Sequence, residues 1–469
     1  MDAVKDRTPL DRPLVEPIYT QASPNQSVEL GPCEVEFEHK GKTYQETARV
    51  TIQFAPNPRL LFVIPTEGKN PFFGIALAQE WNGKLKLTTR GITLDVLYVG
   101  NKGKHGEGLA FIPKRSPVQV NTISENIHSA VFHLFNCPAF YGPQDYILEG
   151  PEASQRCGLV VLQSQGWKIT ITATDQTEDL SNKLNSEGGY VITHMGRAER
   201  EDMSPFTSEQ LDGILRTLHF FLSFALGCWA GVALPIGFDK TGNRVFEKWG
   251  LPIVAYGRWR GAFSWFDELH AELLPQVFSG FMDLWNSEVW RSPLMETLYW
   301  YLAANERGTG ITVDMKVILA QAALELLAWN YCVQHRKMVS AKAFEPRGLS
   351  AADKLRLLLS ALDIPRDIPA SLSALHARRG CKWKDAADAI TGVRNAVMHP
   401  SAKQPIPDEA DYQAWTLGMW HLDMVLLRLC GHTGNYCNRL KLPRGVGAVE
   451  PVPWAMPKSE KADESGQHA

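Results

Sequence analysis

Residues 311–333 read ITVDMKVILAQAALELLAWNYCV, a 23-residue run that is apolar nearly all the way round. A helix without a polar face belongs among other helices, so this stretch predicts a bundle built around it. Downstream, Ser350 and Asp353 make an S-x-x-D box opening a second helix, with Leu355, Leu358, Leu359 and Leu362 at i, i+3, i+4 and i+7. A third helix is expected from about Trp383 through Ile390 and Val393 to Met398, and a fourth from about Asp411 to Cys430, with Gly431 as its terminator. Residues 311–445 therefore read as an all-α bundle of four or slightly more helices. Just upstream, Asn305-Glu306-Arg307-Gly308-Thr309-Gly310 interrupts the apolar pattern as a linker.

The first 200 residues have a different period. Val35 and Phe37 alternate before the turn His39-Lys40-Gly41-Lys42, and Val50, Ile52 and Phe54 alternate after it. LLFVIP (60–65), ITLDVLYVG (92–100), GLVVLQ (158–163) and WKITITATD (167–175) follow. Residues 28–203 are thus expected to form a β-rich domain. The stretch Asn101–Gly108, NKGKHGEG, lacks the GxxxxGK[ST] pattern of a phosphate loop and reads as a hairpin loop. Residues 204–308 form a mixed helical and hairpin middle region. Within it, TLHFFLSFALGCWAGVALPIGF (217–238) is long enough to span a bilayer. The Thr207/Gln210 capping box starts a helix ten residues earlier, however, and Gly227, Gly231 and Pro235 punctuate the run, so a buried helix followed by a hairpin strand is expected, with no membrane span. Residues 249–300 carry six tryptophans (249, 259, 265, 285, 290 and 300); they suit core or interface filling better than base stacking. Residues 1–27 read as a flexible arm and 446–469 as a tail, disordered from 455. The whole is an α+β multidomain chain, and 469 residues at roughly 150 per domain fit about three such units.

Composition narrows the classes further. With 44% hydrophobic and 21% charged residues, and 37 Gly and 29 Pro dispersed along the chain, collagen, coiled coil and wholesale disorder are excluded. The N-terminus carries charges and prolines where a secretory signal needs an apolar stretch. Eight cysteines without a CxxC pair fit a reducing cytoplasm. Cys430, His432 and Cys437 lack a fourth well-spaced ligand, and there is no HExxH, GxSxG or Walker A motif, so no metal and no cofactor are expected.

What remains is Val393-Arg394-Asn395-Ala396-Val397-Met398-His399-Pro400 in the third helix. Arg394 lies at the margin of the buried stripe Trp383, Ala386, Ile390, Val393, Val397. His399 is about 140° further round an ideal helix, but Pro400 biases it away from αR, so it leaves the helix and can turn toward the arginine. A guanidinium and an imidazole suit metal-free work on a phosphodiester. The first binds phosphoryl oxygens and developing charge, the second moves a proton, and RNA supplies its own 2′-OH nucleophile.

R-N-A-V-M-H is an R-x4-H motif. Together with the ALELLAWN helix, the SAADKLRLLLSAL helix and the closing LLRLCGHTGNYCNR stretch, it makes residues 311–445 resemble HEPN domains, in particular those of ApeA-type anti-phage abortive-infection proteins. The resemblance implies a HEPN helix bundle that dimerises and acts as a metal-independent endoribonuclease at a composite site. It implies Arg394 as the phosphate-binding residue, His399 as general acid or base, and Asn395 as the accompanying polar residue. Pro400 is a mild variation after the histidine. Ser401 stands where HEPN toxins modified by nucleotidyltransferases carry tyrosine, so that pairing is not implied. Glu325, the one acid deep in the first bundle helix, is placed either to support His399 or Arg394 or to reach solvent. The bundle's 18 basic and 12 acidic side chains give it +6 within a chain at −3, and Arg378, Arg379, Lys382 and Lys384 precede the motif helix as a candidate RNA-binding run. The expected partners are RNA, a second copy of the chain and a phage-derived trigger for the N-terminal region. The alternative is a non-catalytic HEPN module that binds RNA or dimerises.

Overall fold

The computed structural model describes residues 15–39, 41–55, 57–65, 82–101, 108–120, 125–141, 146–147, 154–155, 159–174, 176–254, 264–306, 310–345, 347–377, 382–399, 409–441 and 447–455. Strands β1 (Val28–His39), β2 (Lys42–Gln53), β3 (Arg59–Pro65), β4 (Asn82–Leu87), β5 (Ile92–Asn101) and β6 (Gly108–Pro113) close into a barrel in the order β1-β2-β3-β6-β5-β4. The predicted hairpin is present, with Phe37 opposite Tyr44 and His39 opposite Lys42. Alternation then sends Val35, Phe37, Val50 and Ile52 inward, all essentially inaccessible. β5 and β6 are antiparallel neighbours, as a hairpin requires; residues 102–107 lie outside the described residues.

A second, seven-stranded sheet runs β11-β12-β13-β8-β14-β15-β7, from β7 (Val118–Gln119), β8 (Ser129–Phe135), β11 (Val160–Ser164), β12 (Trp167–Ala173), β13 (Ile192–Arg200), β14 (Gly231–Phe238) and β15 (Arg244–Trp249). β9 (Tyr146–Ile147) and β10 (Ser154–Gln155) pair separately. The period of two on β8 explains the layering. Ala130, Phe132 and Leu134 join the core shared with the helices, whereas Val131 and Phe135 join the core shared with the barrel. The sheet is thus buried on both faces.

The expected division at residue 203 runs through this sheet, because β14 and β15 pair onto it from the far side of that position. The 217–238 stretch resolves as expected into helix and strand. α2 (Ser208–Leu226) follows α1 (Thr177–Glu187), opens on the Thr207/Gln210 capping box and ends at Gly227 in the left-handed region, before β14. Trp249, Trp265, Trp285 and Trp290 are buried as packing residues; Trp259 lies outside the described residues.

Helices α3 (Leu273–Asn286), α4 (Arg291–Asn305), α5 (Val313–Trp329, continuing into a π-helical turn at Asn330–His335), α6 (Ala351–Ala361), α7 (Ser373–His376), α8 (Ala386–Met398) and α9 (Ala410–Leu429) complete the chain, with a last strand pair β16 (Asn435–Tyr436) and β17 (Glu450–Pro451). The four predicted bundle helices appear as α5, α6, α8 and α9. α4, from the supposed middle region, packs on α5 as part of the same core. Val313–His335 is long and apolar enough to cross a membrane by length and composition, and half of its most apolar window is buried inside the protein.

The N-terminal end differs from expectation where it is described. Residues 15–27 are clamped onto the β-rich part. Val15 and Tyr19 are buried; the Gln21 side-chain oxygen accepts the Ile192 N–H at 2.9 Å, and Asn25 donates to Gly188 O at 3.0 Å. A polar composition reads as disorder when each polar group is assumed to face water; here those groups bind sheet backbone. At the C-terminal end, ahead of the disorder expected from 455, β17 pairs with β16, Val452 is buried and the Trp454 indole donates to His432 O at 2.7 Å. Residues 1–14 and 456–469 lie outside the described residues.

Candidate functional site

The motif helix α8 is fixed at its N-terminus by carboxylates. Asp385 caps it by accepting the Asp388 N–H at 3.0 Å, and Asp388 returns the bond by accepting the Lys384 N–H at 3.1 Å. Arg356 of α6 clamps this turn, with Nε and Nη2 on Asp385 at 2.7 and 3.0 Å, Nη1 on Asp353 at 2.7 Å, and a further ion pair to Asp388. The guanidinium accordingly holds the Asp385 carboxyl below its usual range despite burial.

The buried face of α8 is Ala386, Ala389, Ile390 and Val393, at i, i+3, i+4 and i+7. Two glycines set its position. A Cβ on Gly392 would come within 2.6 Å of the Trp383 indole nitrogen, so glycine lets that ring lie against the helix. A Cβ on Gly418 of α9 would meet Ala320 of α5 at 3.3 Å and Ile390 at 4.0 Å, marking where the three helices cross.

At the other end of α8 the polar groups are open. Arg394 is half-buried, as its place at the margin of the stripe predicts, and its Nη1 donates to Asn395 Oδ1 at 3.1 Å. Asn395, Met398 and His399 are exposed. His399 caps the helix at φ −130° and ψ 68°, outside the αR region, with its N–H donated to Asn395 O at 2.8 Å. The bias imposed by Pro400 is therefore expressed, although Pro400 and Ser401 lie outside the described residues. One turn before Arg394 on the same face, the Thr391 hydroxyl is buried without a hydrogen-bond partner.

The remaining predicted residues divide. Glu325 accepts from Gln321 Nε2 at 2.8 Å and pairs with Lys354 of α6 at 3.7 Å, so its contacts are to its own helix and to α6 rather than to Arg394 or His399. Lys382 lies over the Trp383 ring at 5.2 Å, and both Lys382 and Lys384 precede the N-terminus of α8. Thirteen helical residues separate that end from His399, roughly 20 Å at 1.5 Å per residue. The lysines thus flank the motif helix without sharing a pocket with the motif. Arg378 and Arg379 lie outside the described residues. Cys430 and Cys437 are buried, and His432 Nε2 donates to Asn435 O at 2.8 Å. Among the described residues no group of three or more His, Cys, Asp or Glu is arranged to hold a metal.

A polar network missed in the sequence lies deeper. Arg439, buried, donates from Nε to Asp423 at 2.6 Å, from Nη1 to Asn305 at 3.1 Å and from Nη2 to the Tyr301 hydroxyl at 3.2 Å; Tyr301 donates to Asp423 at 2.7 Å. Asn305 also donates to Gly227 O at 2.8 Å, which ties α4, α9 and the end of α2 together. Sequence spacing offers no cue for partners more than a hundred residues apart, and the "linker" residue Asn305 is one of them.

The domain-level comparison follows these layers. Residues 287–450 match the YopA C-terminal domain. Residues 122–260 match the YopA central domain. The first begins just before α4, in keeping with the packing of that helix into the bundle, and the second covers the sheet from β8 to β15. The chain is also 26% identical over 448 residues to the "SPbeta prophage-derived uncharacterized protein YopA" of Bacillus subtilis (strain 168), covering 94% of this chain and 98% of that protein. No solved structure matches.

Proposed function

We propose that the chain is a metal-independent endoribonuclease of HEPN type whose site is Arg394, Asn395 and His399. The observation that carries this reading is the exposed C-terminal end of α8, where an arginine with donors to spare and a histidine outside the helical region share one helix terminus. In this reading the guanidinium binds the scissile phosphate and the charge that grows on it, while the imidazole moves the 2′-OH proton. The products are a 2′,3′-cyclic phosphate and a 5′-hydroxyl end. Two bundles facing one another complete the site in a homodimer. Exposed apolar side chains at the ends of the bundle helices, Met315 (50%), Met398 (46%) and Tyr412 (46%), support such an interface.

A resemblance to a prophage-derived protein fits a toxin or defence effector in phage–host conflict, acting in the cytoplasm, with the barrel and sheet restraining the nuclease or sensing a phage-derived trigger. The exposed Met398 and Tyr412 equally favour a second reading, a non-catalytic HEPN module that dimerises or binds RNA. Incubating the full chain with RNA in EDTA separates the two: cleavage lost in both Arg394→Ala and His399→Ala is expected, and intact RNA with the wild-type chain under activating and basal conditions favours the module.

A further inference from the structure

The seam between barrel and sheet holds a half-open cavity of about 370 Å³, within the range of small-molecule sites. Its wall is formed by Ile52 and Leu60 of the barrel hairpin, Tyr190, and Leu251 and Ile253 after β15, with Arg59 as its one charged residue. The Arg59 Nε is buried and has no hydrogen-bond partner, and no carboxylate pairs with this guanidinium among the described residues. A guanidinium without a counter-ion beside an apolar wall offers charge and directed donors to an anion.

The rim is shaped for access. Gly250 has φ +136°, and a Cβ there would come within 2.6 Å of Ser116 Oγ and 2.8 Å of Pro117, so the chain entering the 251–254 segment needs a residue without a side chain at 250. Ile253 is left 54% exposed at the mouth. Tyr190, on the opposite side, is fixed by stacking on Phe54 at 5.6 Å and by the Asn25 side chain, which accepts its N–H at 3.2 Å.

We infer that this cavity is a binding site for a small soluble anion with an apolar body, a carboxylate, sulfonate or phosphate carrying an aryl or medium alkyl group, whose anionic head pairs with Arg59. The guanidinium supplies charge and directed donors, and the aliphatic and tyrosine walls take up the rest. Its position gives the ligand contacts to both β-rich units at once. The claim is independent of whether the bundle cuts RNA.

The test is a fluorescence titration of the full chain with 1-anilinonaphthalene-8-sulfonate, with decanoate and neutral decanol as competitors. One saturable site per chain is expected, displaced by decanoate and not by decanol. Arg59→Met, which keeps the apolar stem, should weaken binding at least tenfold, and Ile253→Asp at the exposed rim should do the same, with unchanged circular dichroism and thermal midpoint. Should Arg59→Met lose its fold, Ile253→Asp and the decanol control still decide the matter. Absence of saturable binding, equal binding by wild type and the folded variants, or equal displacement by decanol overturns the inference.

Discussion

The two ends of α8 use arginine in opposite ways. At the N-terminus every donor face of Arg356 is taken by Asp353, Asp385 and Asp388, and at the C-terminus Arg394 makes its side-chain hydrogen bond among the described residues to its neighbour Asn395 alone. The first is architecture: its charge is neutralised where it stands, and it holds the helix in place. The second makes no ion pair among the described residues. Arg439, buried against Asp423, Asn305 and Tyr301, extends the first class into the core. Charge counted along a sequence mixes both classes, so the bundle's +6 says less about RNA than the location of each unspent cation.

The largest expected effect comes from breaking a spent arginine. Arg439→Ala leaves Asp423 buried without its counter-ion, and should lower unfolding free energy by about 3–5 kcal/mol in urea titrations, whereas Arg394→Ala should change it by less than about 0.5 kcal/mol. A comparable contrast separates the histidines. His133 is fully buried between the Tyr19 N–H, which it accepts on Nε2, and Leu234 O, to which Nδ1 donates; burial pushes its pKa down to about 4. The unfolded chain takes up that proton near pH 6.5, so stability should fall as pH drops from about 6.5 to 4, by on the order of 3 kcal/mol from this residue. His194 and His219, pushed down to about 3 and about 4 by burial, act in the same direction. A flat midpoint across that window would contradict the buried neutral assignment.

Gly418→Val tests the crossing that seats α8. It should cost about 1–3 kcal/mol by forcing α5, α8 and α9 apart, and any RNA cleavage should decline with it. The smallest effect is expected at Lys382 and Lys384. Alanine at both should weaken RNA binding several-fold and shallow its salt dependence by up to about two charges, leaving the cleavage step itself untouched, because these residues lie at the far end of the helix.

Much of the fold was legible. The capping box at Thr207, the N-cap at Ser350, the hairpin at His39–Lys42, the period-two strands and the largely apolar α5 each follow from local rules, and each is present. What could not be read was non-local. A strand pairs with whatever sheet edge the fold presents, so β14 and β15 crossed a boundary drawn from composition. Tyr19, Gln21 and Asn25 looked like solvent-facing residues because partners of theirs lie more than a hundred positions away. For the candidate site, the proline rule placed His399 outside the helix, but the sequence held no hint that Glu325 would be taken by Lys354 or that Arg356 would hold the cap of α8.

The most direct test of the central claim is cleavage of single-stranded RNA by the purified full chain in EDTA, comparing wild type with Arg394→Ala and His399→Ala at equal folded concentration. A general acid–base group contributes about 10²- to 10⁴-fold, so each variant should fall by that order while retaining the wild-type unfolding midpoint and dimer fraction, and the products should end in 2′,3′-cyclic phosphate. Cleavage at wild-type rate by both folded variants would contradict the account.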